Sequence, residues 1–149
     1  MADPSNISLY ERDFHAWANE QAGLLRAGKL SEADIENIAE EIESMGRSEK
    51  RELVSRLQVL IMHLLKWQFQ PAGRGTRWRL TIEEQRRGLA KHLAANPSLK
   101  AALTEAVESA HDLATVAAAR ETMIELKLFP TSCPWSFAQI SDSNFWPDA

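Results

Sequence analysis

From Leu53 to Leu65, apolar side chains stand at Leu53, Val54, Leu57, Leu60, Ile61, Leu64 and Leu65. Steps of three and four residues put all of them on one side of an α-helix, which turns once in about 3.6 residues. The same period runs along nearly the whole chain. Val, Ile and Thr nowhere alternate with polar residues for more than a few positions, so strand signals are nearly absent. Such stripes are hidden by packing helix against helix. The 149 residues suit one domain. A chain of that length buries roughly 70% of its unfolded surface without a disulfide or metal staple. The expectation is a single all-α domain over 1–149, an irregular bundle of four to five helices. An aromatic-rich C-terminal tail packs on it, and 1–7 and 141–149 are irregular.

The helices are bounded by their caps. Ser8 and Glu11 form a capping-box spacing for helix 1, and Gly28 offers its stop. Tyr10, Phe14, Trp17, Gln21, Leu24 and Leu25 share one face. Ser31 is the expected N-cap of helix 2, whose inner face is Ile35, Ile38, Ala39, Ile42 and Met45. Helix 3 runs from about Ser48 to Gln70, before Pro71. An unbroken helix from Ser31 to Gln70 would be about 60 Å long, against about 30–40 Å for a compact domain, so a bend or break near Gly46 is expected. Helix 4 spans about Arg77 to Ala95. Asn96-Pro97 opens helix 5, which reaches Leu126 and faces inward with Leu99, Leu103, Ala106, Val107, Ala110, Ala114 and Ala117. A short helix is expected near Ser136–Ile140.

Composition excludes several classes. Seventeen Lys+Arg against 21 Asp+Glu give a net charge of −4, which is not that of a generally basic nucleic-acid-coating protein. One cysteine forms no internal disulfide and builds no cysteine-based zinc site. No apolar run approaches the roughly 18 residues of a membrane span. The N-terminus has no charged and apolar leader pattern, so a cytoplasmic protein with no membrane partner is expected. Cys133 is read as an inert thiol, and Gly73-Arg74-Gly75 matches no phosphate loop. No catalytic residue is assigned.

Polar residues inside apolar stripes carry the functional reading. Arg86 lies near the centre of the face made by Trp78, Ile82, Leu89 and Leu93. A buried guanidinium needs an opposite charge, and Glu41 or Glu121 is the expected partner. The bland use of such a pair is to fix helix register. The functional use is a pocket for a small anionic ligand, lined by Gln21, Glu41, His63, Lys66 and Arg86, in a groove between helices 2, 3 and 4. His15, His63, His92 and His111 stand in neither H-x-x-x-H nor H-E-x-x-H spacing, so no metal ligand and no cofactor is assigned. A metal-dependent hydrolase that assembles His63 with bundle carboxylates is the weakest alternative.

Charge is segregated. Ser31 to Glu52 holds eight acidic and three basic residues; Lys66 to His92 holds seven basic and two acidic. The basic segment interleaves with tryptophans. Phosphate pairing by Arg74, Arg77, Arg79, Arg87 and Lys91, with bases stacked on exposed tryptophans, would suit a nucleic-acid strand. The plainer reading keeps Trp67 and Trp78 in the core and lets the two charged segments face each other. A homodimer burying a spare apolar face, or a protein partner, is the remaining interaction expectation.

Several segments together resemble one known family. They are Tyr10-x-x-Asp13-Phe14-x-x-Trp17, Glu40-Glu41-Ile42-Glu43-Ser44-Met45-Gly46-Arg47, and His63-Leu64-Leu65-Lys66-Trp67-Gln68 with Gln70-Pro71. Trp78, Ile82, Gln85-Arg86, Pro97-Ser98-Leu99 and Cys133-Pro134 extend the match. The chain is similar over nearly its whole length to the "domain of unknown function 29" family. The resemblance implies a bacterial, all-helical, stand-alone domain. It carries no established activity and no catalytic residues.

Overall fold

A computed structural model describes residues 8–148; the expectations for 1–7 and for position 149 lie outside the described residues. The chain is all-α: α1 (Leu9–Arg12), α2 (Phe14–Arg26), α3 (Ile35–Phe69), α4 (Thr76–Ala95), α5 (Leu103–Thr122) and α6 (Phe137–Ser141), with short 3₁₀ turns between them. No strand occurs among the described residues. Among the described residues, no helix is long and apolar enough to cross a membrane. The residues form two compact units, one up to Arg47 and one from Ser48 onward.

The first unit begins with a correction. Ser8 precedes only the four-residue α1 and its side chain makes no cap hydrogen bond. Asp13 interrupts the helix and restarts it, because its carboxylate accepts from the Ala16 N–H at 3.0 Å. Gly28 does stop α2: its φ of +73° lets the Gly28 N–H donate to the Leu25 carbonyl and the Lys29 N–H to that of Leu24. Ser31 is not the cap of the next helix but part of a 3₁₀ turn, Leu30–Glu32. Asp34 takes that place. Its carboxylate accepts from Trp17 Nε1 at 3.0 Å and Asn37 Nδ2 at 2.8 Å, and its own N–H donates to Gln21 Oε1 at 2.7 Å. A carboxylate with several local donors outbids a lone serine hydroxyl. Tyr10, Phe14 and Trp17 cluster edge-on and tilted, with centroids 4.7–5.8 Å apart.

Helices 2 and 3 of the sequence reading are one helix, α3, hydrogen-bonded straight through Gly46. Much of the stripe read as its inner face at the N-terminal end is uncovered: Ile35 is 50%, Ile42 63% and Met45 67% exposed. Among the described residues of the first unit, α1 and α2 reach α3 through Tyr10, Trp17 and Gln21, at Glu41 and Asp34, and leave this stripe open.

The second unit holds the larger core. Leu53, Leu57, Leu60, Ile61, Leu64 and Leu65 of α3 are buried with Ile82 and Leu89 of α4, Ala106, Val107, Ala110, Ala114 and Ala118 of α5, and Phe129, Trp135 and Ile140 beyond it. Each large aliphatic side chain so buried contributes about 1.5–3 kcal/mol. The alanines of α5 recur every four residues and give it a smooth face that a neighbouring helix can approach closely. α5 ends at Thr122 rather than Leu126. There Met123 turns left-handed at φ 62°, while the Thr122 hydroxyl donates to the Ala118 carbonyl and accepts from the Ile124 N–H. The expected tail helix is α6, opened by a Ser136–Gln139 capping box.

Candidate functional site

Arg86 is buried as expected, at 6% exposed, but its partners are not carboxylates. Nε donates to the Ile140 carbonyl at 2.9 Å and Nη2 to the Phe145 carbonyl at 2.7 Å. The guanidinium also lies 5.3 Å from the Trp146 ring centre. Glu41 is occupied elsewhere, accepting from the Tyr10 hydroxyl, whose pKa this bond pushes up to about 12. Glu121 accepts from Lys66 Nζ at 2.5 Å. Arg86 is thus held by the C-terminal segment and by neither expected carboxylate. The tail left after α6 offers bare backbone carbonyls, and these satisfy a guanidinium without a second desolvated charge.

The other expected pocket residues each have a partner of their own. Gln21 is buried and fixes the Asp34 N–H at the start of α3. Lys66 is buried with its ammonium 4.6 Å from the Trp78 ring centre and paired to Glu121, whose carboxyl this contact holds below its ordinary range. His63 turns onto its own helix, Nδ1 facing the Val59 carbonyl at 2.8 Å. Burial pushes its pKa down, and Lys66 adds to that.

The basic segment spends its tryptophans internally. Trp67 is 7% exposed and packs on Trp146 at 4.6 Å. Arg74 and Arg79 lie 5.4 and 5.7 Å from the Trp67 ring centre, and Arg79 is also 5.7 Å from that of Trp146. Arg74 Nε further donates to the Trp67 carbonyl at 2.6 Å, and Arg87 pairs with Glu83 at 2.7 Å. Arg77 and Lys91 are exposed. Trp67 and Trp78 thus sit as core and partly buried residues, not as free stacking platforms.

What the structure does assemble is a cleft of about 530 Å³ between α4 and the C-terminal segment. It is lined by Arg79, Glu83, Arg86, Arg87 and Ala90 from α4, and by Ser141, Ser143 and Trp146. Positions 79, 83, 86, 87 and 90 follow one face of the helix by its period. Arg86 uses two of its five N–H groups on carbonyls. No carboxylate lies within ion-pair distance of Arg86 or Arg79 among the described residues. Burial lowers the Arg86 pKa, and Asp142 opposes this at longer range.

Two further clusters escaped the sequence reading. His92, 7% exposed, meets Glu49 and Glu52 of α3. Glu49 and Glu52 are an i, i+3 pair and His92 adjoins the Leu89–Leu93 line, a weak signal that was present. Glu108 and His111 stand at the E-x-x-H spacing on α5, but His111 is buried and its Nε2 has no partner.

The fold and the site define an all-helical domain with an arginine-lined cleft beside its C-terminal tail. The family described as Domain of unknown function DUF29 matches residues 9–146, and the chain belongs to it. No curated protein and no solved structure matches the chain.

Proposed function

We propose that this chain is a non-enzymatic binding domain that takes a small anion, a phosphate or carboxylate group, in the cleft between α4 and the tail. The carrying observation is the buried Arg86 guanidinium, which is answered by carbonyls and no carboxylate at close range. A cation out of water retains a strong field, and here it borders a cleft that adds Arg79, Arg87 and the hydroxyls of Ser141 and Ser143. Glu83 already neutralises Arg87. Arg79 is thus the first open donor for a ligand, and Trp146 gives the cleft an apolar wall. The reading places the domain in the cytoplasm, where a lone, half-buried Cys133 whose thiol burial holds protonated fits a reducing compartment.

The test is a titration of the full chain with pyrophosphate and with citrate at low salt, read by tryptophan fluorescence and thermal midpoint. Binding is expected to quench Trp146 and raise the midpoint. Arg79→Gln removes one charge-assisted hydrogen bond and is expected to weaken binding by about 10- to 100-fold. Lys91→Gln, outside the cleft lining, leaves it unchanged. No response to either anion at about 10 mM, beyond the weak end of specific affinity, sinks the proposal.

A further inference from the structure

On the side of α4 that carries His92, the structure assigns a second site: we propose that His92, Glu49 and Glu52 bind a zinc-class divalent metal ion. His92 Nε2 lies 2.8 Å from the Glu49 carbonyl oxygen, which can only accept, so Nε2 carries the hydrogen. In a neutral ring Nδ1 then presents a lone pair. That lone pair faces two carboxylates: it touches Glu52 Oε2, and Glu49 Oε2 stands 3.6 Å away. Lone pair against carboxylate repels unless a cation lies between them. A proton answers one contact; a metal ion answers both.

The donor set fits an ion. The three ligand atoms lie within 4.8 Å of one another. Bonds of about 2.0–2.1 Å set the corners of a tetrahedron about 3.3 Å apart, near the Nδ1–Glu49 spacing of 3.6 Å; the closer Glu52 carboxylate, half exposed, has to swing outward to admit the ion. A histidine whose far nitrogen donates to a backbone carbonyl is the supporting arrangement that metal-bound imidazoles use, since it fixes tautomer and ring orientation. One imidazole with two carboxylates favours zinc over magnesium or calcium, which prefer oxygen alone. His92 is buried while both carboxylate side chains are about half exposed, so an ion enters from solvent against a fixed ligand and keeps an open position for water. Two neighbours complete the surroundings. Arg56 Nη2 stands 3.9 Å from the far oxygen of Glu52. Asn96 Nδ2 reaches Glu49 Oε2 at 3.5 Å.

The experiment is calorimetric titration of the chelator-stripped full chain with zinc chloride at neutral pH, repeated with cobalt(II) to read coordination by visible absorption. One ion per chain is expected, with a thermal midpoint that climbs with zinc concentration. Glu49→Gln and Glu52→Gln keep the side-chain shape at half-exposed positions. Each is expected to weaken binding by more than about tenfold, the low end of what losing even a supporting group costs. His63→Asn is expected to bind like wild type. His92→Asn abolishes binding where it folds; where it does not, the two glutamate variants decide. No one-to-one event, or an event that the Glu49→Gln/Glu52→Gln double variant retains, overturns the proposal and leaves a proton as the cation on Nδ1.

Discussion

Arg86 and His111 are both polar groups taken out of water, and they are treated differently. Arg86 is met by two carbonyls and an aromatic face, so it keeps its charge and ties α4 to the tail. His111, 1% exposed with Nε2 unpartnered, is met by nothing comparable. Burial pushes its pKa below the ordinary value, with Glu108 and Asp112 opposing more weakly. The consequence has a definite sign. Below about 6.5 the unfolded chain takes up this proton and the folded chain resists it. The stability His111 supports is therefore complete above about pH 6.5 and is lost as pH falls toward its depressed folded value. His63, also lowered by burial, acts in the same direction. His111→Leu is expected to flatten the fall in urea midpoint between about pH 6.5 and 5. At pH 7.5 it should stay within about 1 kcal/mol of wild type, because removing an unpaired nitrogen offsets imperfect packing. An unchanged slope would mean that the ring takes up its proton alike in the folded and unfolded chain.

At the scale of the element, α3 runs without a break at Gly46 for a physical reason. Its 35 residues run about 52 Å at 1.5 Å each, longer than one compact core requires, and Gly46 looked like the place to break. Glycine inside a helix costs only about 1 kcal/mol relative to alanine. Cross-turn ion pairs of Arg47 with Glu40 and Glu43 span the position. A Cβ built on Gly46 meets nothing within 4 Å. Gly46→Ala is thus expected to stabilise by about 0.5–1 kcal/mol, a rise of about 2–4 °C in midpoint for a full 1 kcal/mol. Gly28→Ala, where φ is +73°, is expected to destabilise by about 1 kcal/mol. Thermal melts of both variants check the pair, and shifts of the same sign would refute the reading.

The same contrast explains what the sequence made legible. Long apolar periods placed α3, α4 and α5, and a capping box placed α6. Helix ends at Asp13, Asp34 and Thr122 depended on competition between neighbouring polar groups, which periodicity does not rank. The burial of Arg86 was readable from its place between Ile82 and Leu89; its partners were not, because backbone carbonyls carry no residue identity. His92 lay on a readable line, but its meeting with Glu49 and Glu52 spans about 40 residues of separation that only the packing of α4 on α3 resolves.

Across the whole molecule, one helix serves two compact units with unequal means of support. Among the described residues up to Arg47, only Trp17 and Gln21 are buried; from Ser48 onward the buried set includes six leucine and isoleucine side chains of α3 alone. Backbone hydrogen bonds of α3 are alike along its length, so any difference in their lifetime comes from what the side chains bury. Native-state hydrogen exchange is the measurement. Amides from Ala39 to Gly46 are expected to exchange at least about a hundredfold faster than those from Leu57 to Lys66, a gap of about 2.7 kcal/mol in opening free energy. The fast half should close only when its stripe of Ile35, Ile42 and Met45 is covered, so protection there should rise with protein concentration if a second copy covers it. Equal protection in both halves at high dilution would mean that the ends of α3 open together, and that its exposed stripe costs the helix nothing.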